Sequence, residues 1–326
     1  MDAAGPIPTV APSGARRASK PLGGALLVLS SAAAFGAMPV LARIGYAHGA
    51  TPLTLLVLRF SVAWVALAAA SRIGGRSRMH EVPASARLVG IALGAVGYAG
   101  TAIGFFSSLN YVPAQMAALL FYTYPAVVGA GVVVLHRRLP SGSEALALAL
   151  ALAGAALVAG GALQPVHGRG VALAFGAAVC YAGYILVGDA ATARAPAVLS
   201  ARWVVAGAAL STLVVTMATG HRFGGIGLAG WLAAVVLGLL STAYAISAFL
   251  AGLARVGPVT ASILSSAEPL VATALAAVLL GERLSPAQAA GAGLVVVAMV
   301  LASRIRLQGR GAVTAKTTPG SVGRRG

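Results

Sequence analysis

The sequence predicts an all-α polytopic membrane protein, with ten transmembrane helices arranged as two inverted five-helix repeats. Three observations carry that expectation. The 326-residue chain is 59% hydrophobic and only 9% charged, whereas a soluble domain has about a quarter charged residues. Apolar runs of about 20 residues, the length that crosses a bilayer, recur along it. One apolar pattern also occurs twice. Phe105, Leu109, Leu120, Pro125, Val127, Ala130, Leu135, Arg138 and Leu139 return as Phe249, Leu253, Leu264, Pro269, Val271, Ala274, Leu280, Arg283 and Leu284. The offset is about 144 residues and slips by one near the end. A doubled hydrophobic unit of this size is the mark of membrane proteins built from two related halves.

The spans fall at 22–45, 52–70, 88–108, 113–135, 144–163, 170–188, 197–219, 227–253, 257–280 and 286–303. Short Gly/Pro/polar connections separate them, as at His48–Pro52, Leu139–Gly142 and Gln164–Gly168. Residues 1–21 and 304–326 read as disordered cytoplasmic tails, the second polar, Gly-rich and basic, with halves at 22–163 and 164–303 between them. The 42 glycines suit helices packed backbone to backbone, and Gly94–Gly97 and Gly291–Gly293 read as such contacts rather than phosphate loops.

Charge sets the orientation. With a cytoplasmic N-terminus, 17 of the 23 Lys and Arg residues fall inside. Three (Arg169, Arg222 and Arg283) fall outside, and Arg43, Arg59 and Arg202 lie within spans. Both termini are therefore expected in the cytoplasm and the protein in the inner membrane. The same distribution argues against nucleic acid, because the net charge of +17 is spread over loops and tails without an aromatic-interleaved basic face. Five helices per half is an odd number, so sequence-related halves must face opposite ways.

The residues then support a family resemblance. Arg59-Phe60 opens helix two, and Ser108-Leu109-Asn110-Tyr111 leads through an Ala/Leu run to Tyr124-Pro125. The second half has Glu268-Pro269, then Leu279-Leu280-Gly281-Glu282-Arg283-Leu284, Gln288 and Gly291. In these features the chain is similar to the EamA family of the drug/metabolite transporter superfamily. The resemblance covers roughly 22–303 and implies ten helices in two inverted repeats, moving small metabolites by alternating access at a site between the halves. One departure is His136-Arg137-Arg138 where the second half has Gly281-Glu282-Arg283.

Glu268 is the acid expected near mid-membrane, whereas Asp2, Glu81, Glu144, Asp189 and Glu282 fall in tails, loops or helix ends. A carboxylate there costs a few kcal/mol or more on insertion scales, so it faces the bundle interior, is protonated, or meets a cation. It is either a proton-coupling or substrate-amine group, or a structural carboxyl capped by Ser265 and Ser266. Pro125 and Pro269 break their helices, and Pro269 frees a carbonyl near Ser265. Tyr122, Tyr124, Tyr181, Tyr184 and Tyr244 are placed at mid-depth, either lining a solute cavity or packing between helices. Arg59 either snorkels or gates, and Arg202 is expected to snorkel to the inner headgroups.

No HExxH, GxSxG or Walker pattern appears, and the single Cys180 excludes an intrachain disulfide. We expect no catalytic residues, metal or cofactor, and name a small-molecule solute, the bilayer and protons as partners. The expected function is a secondary active exporter of amino acids or related solutes driven by proton exchange. A passive channel, a membrane scaffold and an intramembrane lipid-modifying enzyme are the alternatives.

Overall fold

The computed structural model describes residues 21–73, 83–108, 110–112, 114–137, 139–158, 167–192, 197–220, 224–280 and 285–315. Residues 1–20, 164–166, 281–284 and 316–326, and the side chain of Asp189, lie outside the described set. Every regular element within it is helical. Eight helical runs are long and apolar enough to cross a membrane, and two shorter apolar helices, Gly142–Val158 and Pro286–Ala302, complete the set among the described residues.

The first run is α1 (Pro21–Gly36) followed by α2 (Met38–Ala47), with Ala37 as the break. Next come α3 (Pro52–Ile73) and a run of α4 (Ala84–Ala92), a π-helical turn (Leu93–Tyr98) and α5 (Ala99–Ser108). The fourth run is again split, into α6 (Ala114–Phe121) and α7 (Tyr124–His136), and α8 (Gly142–Val158) follows. The second half has α9 (Gly168–Thr192), α10 (Ala197–Ala218), and α11 (Leu228–Gly238) joined by a π-helical turn (Leu239–Tyr244) to α12 (Ala245–Val256). It ends with α13 (Pro258–Ser265), α14 (Glu268–Leu280) and α15 (Pro286–Ala315).

Local chemistry explains the breaks. Pro39, Pro125 and Pro269 are each the second residue of the half-helix that follows a break. Proline is tolerated in a first turn, whose N–H groups lack helical partners anyway, but its ring and missing N–H end the preceding turn. Gly257, at φ 78°, turns the chain from α12 into α13 within one residue. Two helix starts are fixed by reciprocal caps 144 residues apart. The Ser141 amide donates to the Glu144 carboxylate at 2.8 Å and the Glu144 amide to the Ser141 hydroxyl at 3.3 Å. The Ser285 amide donates to Gln288 Oε1 at 2.9 Å and the Gln288 amide to the Ser285 hydroxyl at 3.2 Å.

Small residues let the helices meet. Gly94, in the first π-helical turn, faces the Val204 carbonyl of α10, and Gly207 of α10 faces the Ile91 carbonyl of α4. Gly154 of α8 and Gly291 of α15 face each other's carbonyls in the same way. Gly293, read from the sequence as a helix contact, instead has open space on its Cβ side. Outward faces carry large apolar side chains such as Val96, Val134 and Val278, as expected where the solvent is lipid.

Arg202 departs from expectation. It is buried rather than extended to headgroups: its Nη1 donates to the Ser71 hydroxyl of α3 at 3.1 Å and its guanidinium lies 5.3 Å from the Trp203 ring centroid. A neighbouring hydroxyl and an aromatic face hold its guanidinium there.

Candidate functional site

The three helix breaks converge. Gly36, the last residue of α1, lies against the backbone of Glu268, where a Cβ would come within 2.7 Å of the Glu268 carbonyl oxygen. That approach requires glycine, and it presses the end of α1 onto the start of α14. The hydroxyls of Ser31 and Ser241 tie α1 to the second π-helical turn and α12, donating to the carbonyls of Ala245 at 2.7 Å and Ala34 at 2.6 Å. Across the same region Tyr124, first residue of α7, donates from its hydroxyl to the Ser262 carbonyl of α13 at 3.4 Å.

Glu268 starts α14, where the positive end of the helix favours a carboxylate. Its side chain is half-buried. Tyr122 is likewise half-buried and lies within electrostatic reach of Glu268. Arg59 of α3 is a cation within electrostatic reach of Glu268. No hydrogen bond or ion pair to the Glu268 carboxylate is formed among the described residues. Ser265 and Ser266 do not cap it: both hydroxyls lie beside Tyr124, and Ser266 donates to the Ser262 carbonyl at 3.4 Å.

Arg59 is 4% exposed. Its guanidinium lies 4.5 Å from the Phe60 ring centroid and 6.0 Å from that of Tyr98, touches the Met38 sulfur, and sits beside the Tyr98 hydroxyl. The break after Gly36 is what brings Met38 to it. Such stacking on desolvated rings stabilises a cation by about 2 kcal/mol, which offsets part of the cost of a charge at this depth.

An aromatic chain links Arg59 to the far side of the site. Tyr98 packs edge-on against Tyr184 at 5.6 Å, Tyr184 stacks with Tyr181 at 5.8 Å, and Tyr181 meets Tyr124 edge-on at 4.8 Å. Tyr181 and Tyr184 are both on α9, three residues apart, so one helix face presents both rings. Phe249 of α12 backs them at 6.4 and 6.0 Å. Of the residues singled out from the sequence, Glu268, Ser265, Tyr124, Tyr122, Tyr181, Tyr184 and Arg59 thus lie in one neighbourhood, with the breaks before Pro125 and Pro269.

Tyr244 does not join them. It is 47% exposed, in an outward stripe with Val236 and Leu240 at four-residue spacing. Tyr98 was missed: it follows the glycine-rich stretch read only as a packing surface, and its sole sequence signal is a hydroxylated ring deep within an apolar run.

Comparison with known proteins adds the family. The pattern described as the EamA-like transporter family matches residues 22–160 and again 168–304. The chain is 31% identical over 214 residues, 64% of its length and 67% of the relative's, to the threonine/homoserine exporter RhtA of Escherichia coli strain K12, and equally to those of strains O6:H1 and O157:H7. One solved crystal structure superimposes with a TM-score of 0.75 at 21% identity, covering 87% of this chain and 97% of the other, a likeness of fold alone.

Proposed function

The chain belongs to the EamA-like transporter family, and on that premise we propose that it is a secondary active exporter of amino acids or closely related solutes, working by alternating access between two inverted five-helix halves and coupled to protons through Glu268. The observation that carries the proposal is the Glu268 carboxylate: half-buried at the junction of three broken helices, without a hydrogen bond or ion pair among the described residues, and within electrostatic reach of Arg59. Such an acid can exchange its proton for a solute ammonium, so that binding one displaces the other.

The packing supports two exchangeable halves of ten helices in all. α1 packs on α12 as α9 packs on α5, and α3 pairs with α10 as α8 pairs with α15. Exchanging the halves turns the α1–α12 pair into α9–α5 and returns α3–α10 and α8–α15 to themselves, and it interchanges the reciprocal caps and the prolines 144 residues apart. Domain limits near 22–163 and 164–303, and cytoplasmic termini in the inner membrane, complete the proposal. The relative's name suggests threonine and homoserine as first solutes to test.

The test is threonine transport in proteoliposomes under an imposed pH gradient, comparing wild type with Glu268→Gln. The proposal expects gradient-driven accumulation by wild type and its loss in the variant. Full, still gradient-driven accumulation by Glu268→Gln removes Glu268 from the mechanism, and equilibration without accumulation by wild type makes the protein a passive channel.

A further inference from the structure

Among the described residues, two buried donors in the aromatic chain have no hydrogen-bond partner: Arg59 Nε and the Tyr184 hydroxyl. Arg59 is 4% exposed and Tyr184 is 1% exposed. Leaving a buried donor unpaired costs about 1–3 kcal/mol, and more for a charged group. Both flank the same ring, because Arg59 lies 6.0 Å from the Tyr98 centroid and Tyr184 packs against it at 5.6 Å.

We infer that Arg59 and Tyr184, both packed against Tyr98, form a carboxylate-recognising subsite, so that the transporter selects zwitterions whose ammonium goes to Glu268 and whose carboxylate goes to Arg59 and Tyr184. The inference rests on the reading of Glu268 given above and adds the solute's second anchoring group. Arg59 Nε can only donate, and the phenol can donate, so the missing partner is an acceptor. A carboxylate fits best, since a guanidinium matches it in plane and charge. Glu268 and Arg59 are within electrostatic reach of each other, with no ion pair between them among the described residues. A zwitterion satisfies both, whereas an amine leaves Arg59 unpaired and a carboxylic acid leaves Glu268 unpaired. Because both donors are enclosed, a carboxylate reaches them when the Tyr98 and Tyr184 rings part.

The experiment is threonine counterflow in proteoliposomes, competed by 1-amino-2-propanol, which lacks the carboxylate, and by 3-hydroxybutyrate, which lacks the amine. Tyr184→Phe removes only a hydroxyl that bonds to nothing in the folded protein, so folding is retained. Wild type is expected to discriminate against both analogues by a hundredfold or more, as sites built to bond a polar group do. Tyr184→Phe is expected to raise the threonine half-saturation by roughly tenfold, the worth of one hydrogen bond, while leaving competition by 1-amino-2-propanol unchanged. Arg59→Lys is expected to do the same to a larger extent. An unchanged threonine half-saturation in Tyr184→Phe, or an equal loss for threonine and the amine, overturns the subsite while leaving proton-coupled export standing. Wild type that exchanges neither threonine nor homoserine overturns both.

Discussion

The crossing of the first π-helical turn with α10 depends on two glycines, and adding one methyl group to either tests the packing quantitatively. A Cβ on Gly94 would lie 2.6 Å from the Val204 carbonyl carbon and 2.9 Å from the Ala208 nitrogen, and one on Gly207 would lie 2.8 Å from the Ile91 carbonyl carbon and 2.9 Å from the Ala95 nitrogen. Ordinary contact begins near 3.4 Å, every atom met is backbone, and the facing carbonyl oxygens are closer still, so the helices must part by more than an ångström. Overpacking of this kind costs about 1–3 kcal/mol. Gly293→Ala is the control: nothing lies within 4 Å, so the helix gains up to about 1 kcal/mol from alanine propensity. Cys180 is the chain's one cysteine and is half-buried, so a thiol-reactive dye reports unfolding without added labels. The dye-detected transition is expected a few degrees lower for Gly94→Ala and for Gly207→Ala, and unchanged or higher for Gly293→Ala. Because one parting relieves both contacts, the double variant should lose less than the sum of the singles. Equal transitions for Gly94→Ala and Gly293→Ala would refute the close crossing.

Other outcomes follow from the same geometry. Arg137 caps α7 in the left-handed region at φ 48°. Arg137→Gly should raise stability by up to about 1 kcal/mol in the same assay, since a side chain there is strained by 1–2 kcal/mol. Ser141→Ala and Ser285→Ala each remove one side of a reciprocal cap and should cost about 1 kcal/mol apiece. Pro269→Ala restores an N–H that can bond the Ser265 carbonyl. Transport rate should fall while insertion and thermal transition hold, and an unchanged rate would mean that the break is dispensable. A reporter fused at the C-terminus should be active only as a cytoplasmic marker.

Much of this architecture could be read from the chain, because proline and charge act locally. Pro125 and Pro269 mark breaks wherever a helix is otherwise continuous, and Ser141-x-x-Glu144 and Ser285-x-x-Gln288 write their caps into four residues. What was not legible is which face of an all-apolar helix looks inward. In a soluble helix polar residues mark the outside, but lipid accepts the same side chains as the core. That is why Tyr244, beside the buried Ser241 and Thr242, was placed in the site when it faces outward. It is also why Tyr98, behind Gly94 and Gly97, escaped notice. Neither π-helical turn was foreseen, since each adds a residue per turn without any proline to announce it. The break at Ala37 was also missed, although Met38-Pro39 repeats the arrangement of Tyr124-Pro125 and Glu268-Pro269. Arg202 is held by Ser71, a partner 131 residues away, a pairing that periodicity does not encode.

The most direct test of the central claim is proton movement driven by solute. Vesicles carrying a luminal pH dye, with no imposed gradient, receive threonine outside. Antiport coupled through Glu268 predicts luminal alkalinisation with wild type and none with Glu268→Gln, even at threonine concentrations high enough to offset the variant's weaker binding of the ammonium. Alkalinisation by Glu268→Gln at the wild-type rate would contradict the account.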